Sequence, residues 1–166
     1  DRMQIVMNGD QSIVLEGRRH TLRMAKVIGF KYDDSEFLVA WQITNVAFHV
    51  CRGFFASEIL AAFGPEDRRR QYINLDDVRY SWSELIGSLR LVRRVSWVDR
   101  AINAEVSLEL IKPAWFALAP LFGSAHSAAP DEFQGYRVVF AWDLELKGQE
   151  SLSVQMKIRF SRARRW

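Results

Sequence analysis

Two runs toward the end of the chain constrain the fold more than any other feature. Tyr136, Val138, Phe140, Trp142, Leu144 and Leu146 fall at every second position, and Leu152, Val154, Met156, Ile158 and Phe160 repeat the pattern. A period of two sends alternate side chains to opposite faces of a β-strand. The intervening polar residues, Arg137, Asp143 and Glu145 in the first run and Gln155, Lys157 and Arg159 in the second, put one face in water and the other under a second layer. Residues 147–150, which include Gly148, read as a hairpin turn joining the two.

Further strands precede them. Asn8-Gly9 lies between two short apolar runs and reads as the turn of an N-terminal hairpin. Leu22, Met24, Ile28, Phe30 and Tyr32 share parity, with Gly29 placed for a bulge. Phe37, Val39, Trp41 and Ile43 alternate, and the pattern resumes on the other parity at Val46, Phe48 and Val50, so Thr44-Asn45 marks a bulge or sheet corner. Ala104, Val106, Leu108 and Leu110 alternate with Asn103, Glu105, Ser107 and Glu109, and Pro113 is expected to end that strand.

The middle of the chain reads as helix. "FFASEILAAFGP" offers a short helix stopped by Gly64 and Pro65, and "EDRRRQYIN" a charged linker after it. Next, Asn74 is a good N-cap, Asp76 and Asp77 suit a first turn, and Val78, Trp82, Leu85, Leu89 and Val92 recur every three or four residues. Arg90, Arg93 and Arg94 would complement the C-terminal end of the helix dipole. Strands, then one or two helices, then strands again predict an α+β fold, an antiparallel sheet with the helices packed on one face. No glycine-rich phosphate loop or strand–helix alternation marks a doubly wound nucleotide-binding fold.

The chain has 166 residues, 49% of them hydrophobic, which fits one domain over residues 1–166. Its opening on Asp1 reads as a fragment or processed chain lacking its native N-terminus. No apolar run reaches the roughly 20 residues that a membrane-spanning helix needs. The single cysteine, Cys51, can form no internal disulfide and points to a reducing, intracellular setting.

Candidate catalytic groups are weak. His49 and Cys51 would share a strand face as two metal ligands might, but a structural zinc wants four ligands, and a packed imidazole and thiol fit better. Ser124, His126, Ser127 and Asp131 have the types of a nucleophilic triad, yet they sit in a small-residue loop with no rigid scaffold. Asp33-Asp34 reads as a turn, and Asp76-Asp77 as helix-start charge. No catalytic residue, metal ligand, cofactor or small-molecule substrate is identified.

Surfaces carry more. Of the 23 basic residues 18 are arginine, whose planar donor fork suits phosphates and carboxylates. They cluster at Arg68, Arg69 and Arg70, at Arg90, Arg93, Arg94 and Arg100, and at Arg162, Arg164 and Arg165. Where clusters converge they would hold anionic lipid or nucleic-acid phosphates. The run from Pro113 to Phe122 has no clear period: it reads either as a short buried helix or as an apolar loop that docks on another subunit or a membrane. Pro120 limits any helix there to about two turns, so part of Trp115, Phe116, Leu118, Leu121 and Phe122 is expected to dock elsewhere.

The organisation, a long strand ("EFLVAWQITNVAFHV"), helical segments ("FFASEILAAF" and "LDDVRYSWSELIGSLRLVRR"), further strands and a mobile apolar segment in a small basic chain, resembles the matrix proteins of rhabdoviruses and related negative-strand RNA viruses. The resemblance implies a non-enzymatic protein that self-associates, binds an anionic membrane surface and condenses RNA or nucleocapsid, at the cytoplasmic face of a membrane or in a virion. Two other readings stand beside it: an RNA-binding module, such as a viral suppressor or movement factor, using the arginine clusters with Trp97, and a small enzyme whose site is assembled from distant strands.

Overall fold

The computed structural model describes residues 2–15, 17–31, 35–62, 70–123 and 132–163. These residues form β1 (Arg2–Leu15), β2 (Arg18–Lys31), β3 (Glu36–Asn45), β4 (Cys51–Ala61), β5 (Gln71–Leu75), β6 (Val78–Tyr80), α1 (Trp82–Leu85), β7 (Leu89–Asp99), β8 (Ala104–Phe122), β9 (Phe133–Leu146) and β10 (Ser151–Arg162). The ladders between named strands are antiparallel. One layer runs β1-β2-β3-β10-β8-β7-β5-β6, and the other is built on β9, which pairs with β4 on one side and β8 on the other. The α+β expectation is therefore corrected: the protein is a β-sandwich, and its four-residue helix is a plug rather than a layer.

β8 belongs to both layers. Its residues 104–110 pair with β10, while residues 115–122 pair with β9. β7 follows it across, with a register shift between Val92 and Arg94. Pro113 lies in the stretch that β7 leaves unpaired there, where a residue without an amide hydrogen costs no ladder bond. The strand continues through Pro113 because alternation resumes beyond it: Ala114, Phe116 and Leu118 are buried, and Trp115, Ala117 and Ala119 face outward.

The core lies between the layers. Trp41 of β3 meets Phe55 of β4 and Trp142 of β9 with ring centroids 6.0 and 6.3 Å apart, and Phe116 meets Phe140 at 5.7 Å. Phe116 and Phe140, both fully buried, contribute about 1.5–3 kcal/mol each. Trp82 of α1 stacks on Tyr136 at 4.2 Å and closes one end of the sandwich.

The expected long helix is strand, turn and strand. Asp76 and Asp77 have φ of 46° and 74°, the left-handed pair of a two-residue hairpin, and they join Leu75 to its partner Val78. Asx side chains tolerate that conformation, so the two acids that suit a helix start serve a hairpin instead. Of the spaced apolar residues only Trp82 and Leu85 are helical, where Glu84 accepts the Ser81 amide at 2.6 Å, and Gly87 at φ 75° turns the chain away. "FFASEILA" is β4, exposed and half-buried by turns opposite β9. Gly64 and Pro65 lie outside the described residues.

Turns are corrected as well. β1 runs straight through Asn8-Gly9 and its hairpin with β2 closes at Gly17; Gly29 pairs regularly with Gln4. β9 and β10 do not pair with each other, so residues 147–150 form a corner between layers rather than a hairpin. Asn45 pins that corner. Fully buried, it donates from Nδ2 to the carbonyls of His49 (2.7 Å), Leu146 (3.0 Å) and Lys147 (3.2 Å), and its Oδ1 accepts from the Ala47 amide at 3.1 Å. Among the described residues no helix is long and apolar enough to cross a membrane.

Candidate functional site

The outward parity of the larger layer makes a polar face. Strand pairing aligns Arg79, Asn74, Ser96, Ser107 and Arg159 in one row across β6, β5, β7, β8 and β10. Four strand spacings make that row about 19 Å wide. Arg94, Glu109 and Lys157 form the row on one side of it, and Tyr72, Val98, Glu105 and Ser161 the row on the other. The twisted face encloses an open cleft of about 1070 Å³. It offers hydroxyl, amide, carboxylate and guanidinium groups, the set that recognises a ligand rich in hydroxyls.

Ion pairs hold its margins. Glu36, at the start of β3, receives Lys157 Nζ at 2.9 Å and Arg159 at 2.6 Å. Hydrogen bonds from Lys157 and then Arg159 hold the Glu36 carboxyl below the usual range. On the far margin Asp77 takes the Arg94 guanidinium, and Asp76 accepts the Arg93 and Arg94 amides at 3.0 and 2.7 Å, which fixes the β5–β6 hairpin against β7. Asn74 donates to Ser96 at 3.1 Å on the floor. Tyr72 packs with Val98 and Ala163 beneath the Arg79 guanidinium, 3.8 Å above its ring, while Arg100 lies 5.6 Å from the same ring.

Of the arginines singled out from sequence, Arg94 and Arg100 line this cleft from its polar face, and Arg162 borders it on the opposite parity of β10, paired with Ala104. Arg90 lies over the Tyr80 ring at 5.5 Å, Arg93 is exposed, and Arg70 sits in a turn where its carbonyl accepts the Arg100 amide at 2.8 Å. Arg68, Arg69, Arg164 and Arg165 lie outside the described residues, as do Asp33, Asp34, Ser124, His126, Ser127 and Asp131. The apolar segment divides by parity: Phe116 and Leu118 are core and offer nothing to a second subunit or a membrane, Trp115 and Leu121 are half-buried, and Phe122 is 52% exposed. Trp115 donates from Nε1 to Asp143 at 3.3 Å. Trp97 is buried in the core.

His49 does not share a ligand set with Cys51; its ring meets His20 edge-on at 4.4 Å. Cys51 is fully buried, and burial pushes its thiol up. Sequence reasoning passed over Tyr72 and Arg79 as site residues. It did find the polar parity of Glu105, Ser107, Glu109, Lys157 and Arg159, which is half of the cleft, without giving it a role.

No family model and no curated protein matches the sequence. Solved structures match the fold. A protein described as an aldose 1-epimerase from Escherichia coli K12 has a TM-score of 0.64 at 8% identity over 98% of this chain. A galactose mutarotase-like protein from Lactobacillus casei has 0.61 at 7% over 94%. The 4-alpha-glucanotransferase of Thermococcus litoralis has 0.61 at 17% over 96%. This chain spans 66%, 70% and 21% of those chains respectively. The fold is thus galactose mutarotase-like. The non-enzymatic, matrix-like viral reading is corrected with the fold it stood on: the described residues form no helical layer, and their β-sandwich is the one seen in proteins described as aldose epimerases and mutarotase-like.

Proposed function

We propose that this chain is a β-sandwich unit of a carbohydrate-active enzyme and that the polar cleft across β5, β7, β8 and β10 is its sugar site. The observation that carries the reading is the row Asn74, Ser96, Ser107 and Arg159, flanked by Glu105 and Glu109, on the face of a galactose mutarotase-like sandwich. Hydroxyls, amides and carboxylates in this layout satisfy sugar hydroxyls bidentately, and β-sandwiches and barrels commonly present saccharides with such a face. Glu105 and Glu109, on the same face of β8, are the groups placed to exchange protons with a bound sugar. A site assembled from distant strands fits this geometry. The lone buried thiol accords with an intracellular setting.

The test is titration of the folded chain with glucose, galactose and α-1,4-linked glucose oligomers, followed by amide shifts in NMR, with polarimetry of freshly dissolved aldose. Sugar-dependent shifts confined to β5, β7, β8 and β10, abolished by Ser107→Leu, are expected. Shifts elsewhere, or no shift with any of these sugars at millimolar concentration, overturn the reading. A faster approach to rotational equilibrium, lost in Glu105→Gln or Glu109→Gln, assigns the proton transfer to this chain.

A further inference from the structure

The two ends of the cleft differ in how their cations are neutralised. At the β10 margin Lys157 and Arg159 share Glu36, and beside the β5–β6 hairpin Arg94 has Asp77. Arg79 and Arg100 have no carboxylate within ion-pair distance among the described residues, yet they line the same cleft. Both are gathered by one ring: Arg79 lies 3.8 Å and Arg100 5.6 Å from the centroid of Tyr72. Ala163, which follows Arg162, packs on Tyr72 from below.

That placement has an energetic meaning. Two guanidiniums brought to one ring repel each other, and stacking on an aromatic face orients a guanidinium without neutralising it. The backbone reinforces the gathering: the Arg100 amide donates to the Arg70 carbonyl at 2.8 Å, and the β5–β6 hairpin that carries Arg79 is held by Asp76, which accepts the Arg93 and Arg94 amides. Glu105, opposite Val98 and Ser161 in the strand register, forms no ion pair with Arg79 or Arg100 among the described residues, and the Asp99 carboxylate accepts from Gln71 and the Ala101 amide instead. What such a cluster lacks is a multivalent anion, and forked donors match the oxygens of a phosphate.

We propose that the Tyr72 end of the cleft is a phosphate-binding subsite formed by Arg79 and Arg100, and that the preferred ligand is a phosphorylated sugar. The subsite rests on the sugar-site reading for the sugar half of this ligand and on the two arginines alone for the phosphate half. Asn74, Ser96 and Ser107 hold the ring, and the guanidiniums hold the phosphate.

Calorimetric titration of the whole chain with a hexose 6-phosphate, the corresponding neutral hexose and inorganic phosphate separates the two halves. The phosphorylated hexose is expected to bind roughly tenfold or more tightly than the neutral hexose, since a charge-assisted contact is stronger than a neutral one. The advantage should shrink as salt rises and vanish in the Arg79→Gln/Arg100→Gln double variant, which changes two exposed side chains at the cleft surface and leaves the core intact. Neutral hexose binding without any gain from the phosphate refutes the subsite and leaves the sugar reading standing. Arginine-dependent binding of inorganic phosphate with no hexose binding supports the subsite and refutes the sugar reading. A phosphate advantage that survives the double variant refutes the assignment of the residues.

Discussion

Replacing Asn45 by alanine is the sharpest test of how the two layers are joined. The side chain makes four contacts, three from Nδ2 to the carbonyls of His49, Leu146 and Lys147 and one accepted from the Ala47 amide. Nδ2 carries two hydrogens, so one of those three is shared, and the substitution removes about three full bonds. At a net value of about 1 kcal/mol each, with a further cost for carbonyls left dry at a site with no exposure, the loss is about 3–4 kcal/mol. That is a large share of the roughly 5–15 kcal/mol that holds a domain together. For a chain of this length it lowers Tm by about 10 °C. Urea unfolding followed by tryptophan fluorescence measures it directly, with Thr44→Ala as a neighbour whose hydroxyl bonds Ser151 on the exposed face. If Asn45→Ala costs less than about 1 kcal/mol, or no more than Thr44→Ala, the corner is not pinned by this side chain.

Three further outcomes follow from the same structure. Phe116→Ala should cost about 3–5 kcal/mol in urea unfolding, and Trp115→Ala, on the outer face of the same strand, less than about 2; the reverse order would mean that β8 is turned by one residue. Cys51, raised by burial, should remain unlabelled by a thiol reagent at neutral pH and react fully once urea unfolds the chain; rapid labelling of the folded protein would place it at the surface. Glu36 should titrate below the ordinary glutamate range by NMR and return toward it in Lys157→Met; because its folded value is depressed, the stability it lends is present above the unfolded glutamate value and fades as pH falls through the folded one.

Strands with uninterrupted alternation were legible. β9, β10 and the first half of β8 show a period of two in their residues, and the polar parity of Glu105, Ser107, Glu109, Lys157 and Arg159 already marked the face that became the cleft. The middle was misread for a specific reason. Val78, Trp82, Leu85, Leu89 and Val92 repeat at helical intervals, but they belong to β6, α1 and β7, separated by turns at Asp76-Asp77 and Gly87. Aspartates that suit a helix start also suit a left-handed turn, and only the pairing of β5 with β6 and β7 decides between them. "FFASEILAAFGP" suits a helix because Gly64 and Pro65 make a good helix stop, and β4 hides its strand period by carrying apolar residues on both faces, Phe54 and Leu60 outside as well as Phe55 and Ile59 against the core. The cleft itself was beyond local reading: Ser96, Ser107 and Arg159 share one row only because β8 pairs with β7 on one side and β10 on the other.

A strand of 19 residues held in common by both sheets has a mechanical consequence. Neither sheet can slide or peel away by itself, since its own hydrogen-bonded spine continues into the other, and loss of one should propagate into a single all-or-none transition. The same continuity links Phe116 in the interior to Glu109 at the water-facing rim by seven residues of one rigid rod. Repacking behind the sandwich would therefore be felt as a change in the width of the opening in front.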